Sequence, residues 1–155
     1  MSDKSTPHPL SAELLAAGVP EKYHPMLGGH GVGTLVAKMG IVFTQMSVES
    51  MVATMPVEGN TQVTGLLHGG AHVVLAETLG SFAAAFHAGV GGRVVGIEIN
   101  ATHHRGIETG LVTGSATPIH LGRTLTTHEV VMRDAQGRRL STCRITNMIL
   151  DSKGK

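Results

Sequence analysis

One cysteine, Cys143, in 155 residues leaves the chain without an internal disulfide or a zinc site built from several thiolates. A reducing cytoplasm is the compartment that fits. Tryptophan is absent, and the four aromatic residues (Tyr23, Phe43, Phe82 and Phe86) are too few for a base-stacking platform. Charge is scarce as well: 12 Lys plus Arg against 11 Asp plus Glu give a net +1, without the uncompensated basic patch that nucleic acid or an anionic membrane would need. Neither is expected as a partner. Long unbroken apolar runs are missing too. The stretch from Val63 to Phe86 is interrupted by His68, Gly69, Gly70 and His72 and carries Glu77 near its middle, which excludes a simple membrane span. Pro7 and Pro9 stand where a secretory signal would be apolar and continuous, so no export signal is expected.

What remains is a globular composition, 41% hydrophobic and 15% charged. A chain of this length forms one domain and buries roughly 70% of the surface it exposes when unfolded. Residues 1 to about 9 read as a polar leader. A short helix follows over Ser11–Gly18, with Ser11 as a candidate N-cap and Gly18 at its stop. Strands are expected at about 35–45 and 50–55, turned by Ser47-Val48-Glu49, and a long helix over about 68–87. That helix is apolar on all sides, so protein must wrap it. Beyond Gly92 the pattern switches to period two, with Val95, Ile97, Ile99 and Ala101 on one face. Three more strands are expected at about 108–117, 123–133 and 139–150, the last two joined by a hairpin at Asp134-Ala135-Gln136-Gly137. Connections this short make consecutive strands antiparallel. The expected class is α+β, an antiparallel sheet wrapped around one long helix.

Glu77 is the residue that such a helix would not carry for packing alone, because an unpaired carboxylate among apolar neighbours costs several kcal/mol or takes up a proton. Ser81 shares its face one turn later. At the start of the helix, Gly65-Leu66-Leu67-His68-Gly69-Gly70 offers backbone amides without intrahelical partners, suited to polarising a carbonyl oxygen; His68 can equally serve as the cap. Gly69 and Glu77 lie eight residues apart, about 12 Å on a continuous helix. One carbonyl cannot meet both from the same chain, so a site that uses both needs two antiparallel copies of the helix, in a two-fold dimer with two equivalent sites. His68 and His72 have the spacing of paired helix ligands, but no Glu follows the first His as in the zinc hydrolase motif, and no metal is expected.

The segments Gly65-Leu66-Leu67-His68-Gly69-Gly70-Ala71, Val74-Leu75-Ala76-Glu77-Thr78, Val94-Val95-Gly96-Ile97-Glu98-Ile99-Asn100-Ala101 and His120-Leu121-Gly122 together resemble the hotdog-fold acyl-CoA thioesterases. Within them the chain is similar to the branch of the dihydroxynaphthoyl-CoA, Arthrobacter-type hydroxybenzoyl-CoA and phenylacetyl-CoA enzymes, and to a proofreading relative that acts on an aryl carrier protein. The resemblance implies a hotdog domain over 39–150, preceded by a leader and short helices (1–38) and followed by a tail (151–155). It implies hydrolysis of an aromatic acyl-CoA, such as hydroxybenzoyl-CoA or dihydroxynaphthoyl-CoA, to free acid and CoA without metal or redox cofactor. Alternatives are hydrolysis of a thioester on an aryl carrier protein, or acyl binding without turnover. Position by position, it makes Glu77 the nucleophile or general base, Gly69 the amide donor with His68 beside it, Gln62 a side-chain amide near the carbonyl or the attacking water, and Ser81 a support for the second step. His103, Arg105, Gly122 and Arg123 fall on substrate or CoA contacts. The resemblance also implies a homodimer with shared sites and, beyond it, a homotetramer.

Overall fold

The computed structural model describes residues 9–27 and 29–150; the expected tail and all but the end of the expected leader lie outside these. Helix α1 (Pro9–Ala16) begins on Pro9, whose missing N–H costs nothing in a first turn, so Ser11 lies inside the helix and is not its N-cap. The chain then turns at Gly18. This glycine has φ +76°, and a Cβ there would collide with the Phe43 carbonyl, so both conformation and space demand glycine.

A 3-10 segment (Glu21–Leu27) and α2 (Thr34–Lys38) follow, so the first part of the strand expected at 35–45 is helical. The apolar run is too short for its period to separate helix from strand: Val36 is buried while Leu35 is exposed, as in a single helical turn. Strand β1 (Val42–Met46) pairs with β2 (Met51–Pro56), and the Ser50 N–H donates to Ser47 Oγ at 3.1 Å in the expected turn. Then come α3 (Gly69–Ala88), β3 (Arg93–His103), β4 (Leu111–Leu121), β5 (Leu125–Arg133) and β6 (Arg139–Leu150). At the β5–β6 hairpin, Asp134 Oδ1 accepts from the Gln136 and Arg138 amides, while Arg138 Nε donates to Oδ2 at 2.6 Å.

The six strands form one antiparallel sheet in the order β1-β2-β4-β5-β6-β3. Strand β3 therefore sits at an edge, beside β6 and not beside its successor β4. Its other side has no pairing strand among the described residues, and Val95 and Ile97 are exposed. The α+β hotdog architecture is thus the one expected. Helix α3 lies on the sheet through Leu75, Ala76, Leu79, Gly80, Ala83 and Ala84, a stripe spaced by three and four residues. It approaches closely because Gly80 stands where a Cβ would strike Ile145 on β6. Burying each of the two leucines contributes about 1.5–3 kcal/mol.

The sheet packs on one side of α3, and the residues turned from it, Val73, Val74, Glu77, Ser81 and Ala85, are half-buried, so a single chain encloses the helix in part. Farther along the face that carries Leu75 and Leu79, Phe82 meets Phe43 of β1 (ring centroids 4.7 Å) and Phe86 meets Tyr23 of the 3-10 segment (4.8 Å). Leu14, Ala17, Val19, Val32 and Val36 join the same core.

Candidate active site

The loop before α3 is held tightly. Thr61 bridges to Leu67, the Gln62 N–H donates to Leu66 O, and the Leu67 N–H donates to Ile107 O at 2.8 Å. This delivers His68 to the N-cap position with extended backbone (φ −65°, ψ 134°), where its Nδ1 accepts from the Gly70 N–H at 2.8 Å. The His68 ring is therefore occupied as a cap, with Nε2 as its remaining polar atom. The Ala71 N–H donates to His68 O, while the Gly69 N–H finds no partner among the described residues. One amide is thus left pointing from the positive end of a twenty-residue helix.

Gly69 borders a cavity of about 350 Å³ lined also by Gln62, His72, His103, His104 and Arg105, among others. Three of the expected site residues besides Gly69 therefore converge: Gln62, His103 and Arg105. The His103 tautomer follows from its partner. Ser141 Oγ donates its single proton to Thr102 O at 3.1 Å and so accepts from His103 Nδ1–H at 3.0 Å. His103 Nε2 then carries a lone pair, 2.9 Å from the point a Cβ on Gly69 would occupy.

His72 lies beneath, 3% exposed, its ring centroid 5.3 Å from that of His103 and its Nδ1 without a partner among the described residues. Desolvation, with His103 adding to it, lowers its pKa from 6.5 to about 4, so it is neutral at pH 7. The unfolded chain protonates His72 below pH 6.5 and the folded chain only near pH 4, so stability is lost as pH falls through this window. The loss approaches about 1.4 kcal/mol per pH unit for one full proton. Buried His128, lowered first by desolvation and then by His87, acts in the same direction. Thermal melts from pH 7 to 4 should therefore show a shallower acid slope for His72→Gln than for wild type; equal slopes would remove His72 from the account.

Glu77 and Ser81 are elsewhere. Glu77 is half-buried two turns along α3, packed over Gly96 of the edge strand so closely that a Cβ on Gly96 would lie 2.6 Å from Oε1. Ser81 Oγ donates toward Glu77 Oε1 at 3.4 Å. Within one chain the expected catalytic residues thus form two groups, the oxyanion-type mouth and the carboxylate, as the eight-residue separation requires. Gly122 lies in a third place, the β4–β5 turn. Its carbonyl pairs with His87 Nε2 at 2.9 Å, and a Cβ would crowd His120 and Leu125 O. Arg123 beside it is exposed, with no ion pair among the described residues.

A family model described as "Thioesterase superfamily" matches residues 64–141, spanning α3, the Gly69 amide, Glu77 and the edge strand. The chain belongs to this superfamily. It is 46% identical over 125 residues to "Proofreading thioesterase EntH" of Klebsiella pneumoniae, covering 80% of this chain and 91% of that one. Among solved structures it resembles a thioesterase of Haemophilus influenzae (TM-score 0.75, 36% identity, 79% and 86% of the two chains). A mutant thioesterase of Pseudomonas aeruginosa also superposes (TM-score 0.75, 33% identity, 95% and 96%). The protein is a thioester hydrolase. No helix among the described residues is long and apolar enough to cross a membrane.

This thioesterase carries three polar residues that the sequence argument did not place in the site: His72, Ser141 and Asn147. The available signal lay in β6, where Ser141 and Asn147 fall in the same alternating register as buried Cys143 and Ile145. Asn147 is wholly buried, its Oδ1 3.4 Å from Ser81 Oγ.

Proposed function

We propose that this thioesterase hydrolyses an aryl thioester presented on the pantetheine arm of a carrier protein, releasing the free acid and the carrier thiol. The similarity to a proofreading thioesterase across 91% of that protein's length carries this reading. It favours the carrier-bound substrate over the aryl-CoA that the sequence motifs alone put first. Both substrates offer the same thioester on the same arm, so the chemistry at the carbonyl is common to them.

In this reading two copies associate along their edge strands, and each site combines the mouth of one chain with the carboxylate of the other. The Gly69 N–H polarises the thioester carbonyl, with the Gln62 amide and the remaining His68 Nε2 beside it. Glu77 of the second chain either attacks the carbonyl carbon or takes the proton of the water that does. His103 and Arg105 line the approach, while Gly122 and Arg123 lie along the pantetheine arm. Loss of the thiolate and addition of water give one acid and one thiol.

The test compares kcat/KM for one aroyl group loaded on a carrier protein and on CoA. Preference for the carrier by at least about tenfold, 1.4 kcal/mol of transition-state binding, supports the reading. Equal or better use of the CoA ester returns the aryl-CoA assignment. A folded dimer that turns over neither would be an acyl-binding protein.

A further inference from the structure

Ser81 has one hydroxyl proton and two acceptors for it. Its Oγ lies 3.4 Å from Glu77 Oε1 and 3.4 Å from Asn147 Oδ1. The orientation of the Asn147 amide is settled by its other neighbour. Gly80 O can only accept, so the group 3.3 Å from it is Nδ2, and Oδ1 is the atom that faces Ser81. Register holds the residue there: Asn147 pairs with Gly96, the glycine over which Glu77 packs, and a bulge between Gly96 and Glu98 follows at once. An entirely buried amide on the inner face of β6 therefore ties the sheet to the backbone of α3 and to the hydroxyl beside the carboxylate.

We propose that Asn147 is a positioning residue, which acts through Ser81 by accepting the hydroxyl proton that would otherwise rest on Glu77. Rotation about the Ser81 Cβ–Oγ bond carries the proton from one acceptor to the other, with no covalent bond broken. With the proton toward Glu77, the carboxylate is held in place but one of its lone pairs is occupied. With the proton toward Asn147, Glu77 Oε1 is released for reaction, and the Ser81 oxygen is left as an acceptor for a water hydrogen. An apolar residue at 147 would leave Ser81 with Glu77 Oε1 as its one side-chain acceptor among the described residues. The proposal rests on Glu77 as the reacting carboxylate.

Valine and threonine have the same shape and both suit a strand, so they differ at position 147 only in a hydroxyl on Cβ, one bond short of the place of Asn147 Oδ1. The experiment measures kcat and KM on one thioester for Asn147→Val, Asn147→Thr, Ser81→Ala and the double variant Ser81→Ala/Asn147→Val, with Glu77→Ala beside them. Asn147→Val should lower kcat about tenfold with KM within about twofold, and Asn147→Thr, whose hydroxyl is one bond short, should lie between it and wild type. In the Ser81→Ala background, Asn147→Val should have no further effect, because the group it acts through is gone. An equal fall in kcat in that background would overturn the proposal, since Asn147 would then act through Gly80 O as a structural tie. Unchanged kcat in Asn147→Val would overturn it as well. Should Asn147→Val fail to fold, Asn147→Ala takes its place in the same cycle. An active Glu77→Ala would instead remove the carboxylate assignment, so the two failures are told apart.

Discussion

Glu77→Gln is expected to give a folded protein whose turnover of thioester is at least about 100-fold below wild type. The substitution keeps the shape of the side chain and its contact over Gly96, and Oε1 of the new amide can still accept from Ser81 Oγ, as the carboxylate does at 3.4 Å. What it removes is the negative charge, and with it both roles open to Glu77, since a neutral amide neither attacks a thioester carbonyl nor takes a proton from water. Stability should barely change, because Glu77 is half-buried and makes no ion pair among the described residues. The check is kcat at saturating substrate together with a thermal melt. Turnover within a few-fold of wild type would take Glu77 out of the chemistry; lost turnover with a lowered melting temperature would report on folding and not on the reaction.

Much of this arrangement was legible in the sequence, for identifiable reasons. A twenty-residue apolar segment with a carboxylate in its middle has one physical reading, and α3 runs from Gly69 to Ala88 against an expected 68–87. Period-two alternation marked β3 as a strand but not its face: a bulge between Gly96 and Glu98 shifts the phase, so Ile99 and Ala101 pack on the core while Val95 and Ile97, expected beside them, are exposed. The start of the expected strand at 35–45 was misread because the helix there, Thr34–Lys38, has five residues, little more than one turn. The position of β3 beside β6 was not legible at all: strand order depends on which edge the crossing chain reaches, and alternation is the same at either edge. In the site, Glu77 and the Gly69 amide stood out as groups at odds with their surroundings. His72 was visible only as a partner for His68, yet the two separate, His68 capping the helix at the surface and His72 buried beside His103. Ser141 and Asn147 escaped because a polar residue in a strand is unremarkable until its face is known.

The amide at the other end of the site permits a test that few oxyanion donors allow. Gly69 is the first residue of α3, so its N–H serves no helical bond, and proline is well tolerated at that position. His68 before it already has the extended backbone that a residue preceding proline requires, φ −65° and ψ 134°. Gly69→Pro therefore deletes one N–H while keeping the helix. It also adds a Cβ close to His103 Nε2, but Gly69→Ala adds the same atom and keeps the N–H, so the comparison between the two separates the Cβ from the change at nitrogen, where the ring Cδ replaces the hydrogen. Gly69→Pro should be slower than Gly69→Ala by about 100- to 1000-fold in kcat, the usual cost of losing one such donor. The same variant then tests whether the site is shared. In a one-to-one mixture of subunits carrying Gly69→Pro and Glu77→Gln, random exchange makes half the dimers mixed, and each mixed dimer has one site free of both substitutions. Activity should return to about a quarter of wild type. A mixture no more active than its components would mean that amide and carboxylate serve one carbonyl within a single chain, which the eight residues of helix between them do not allow.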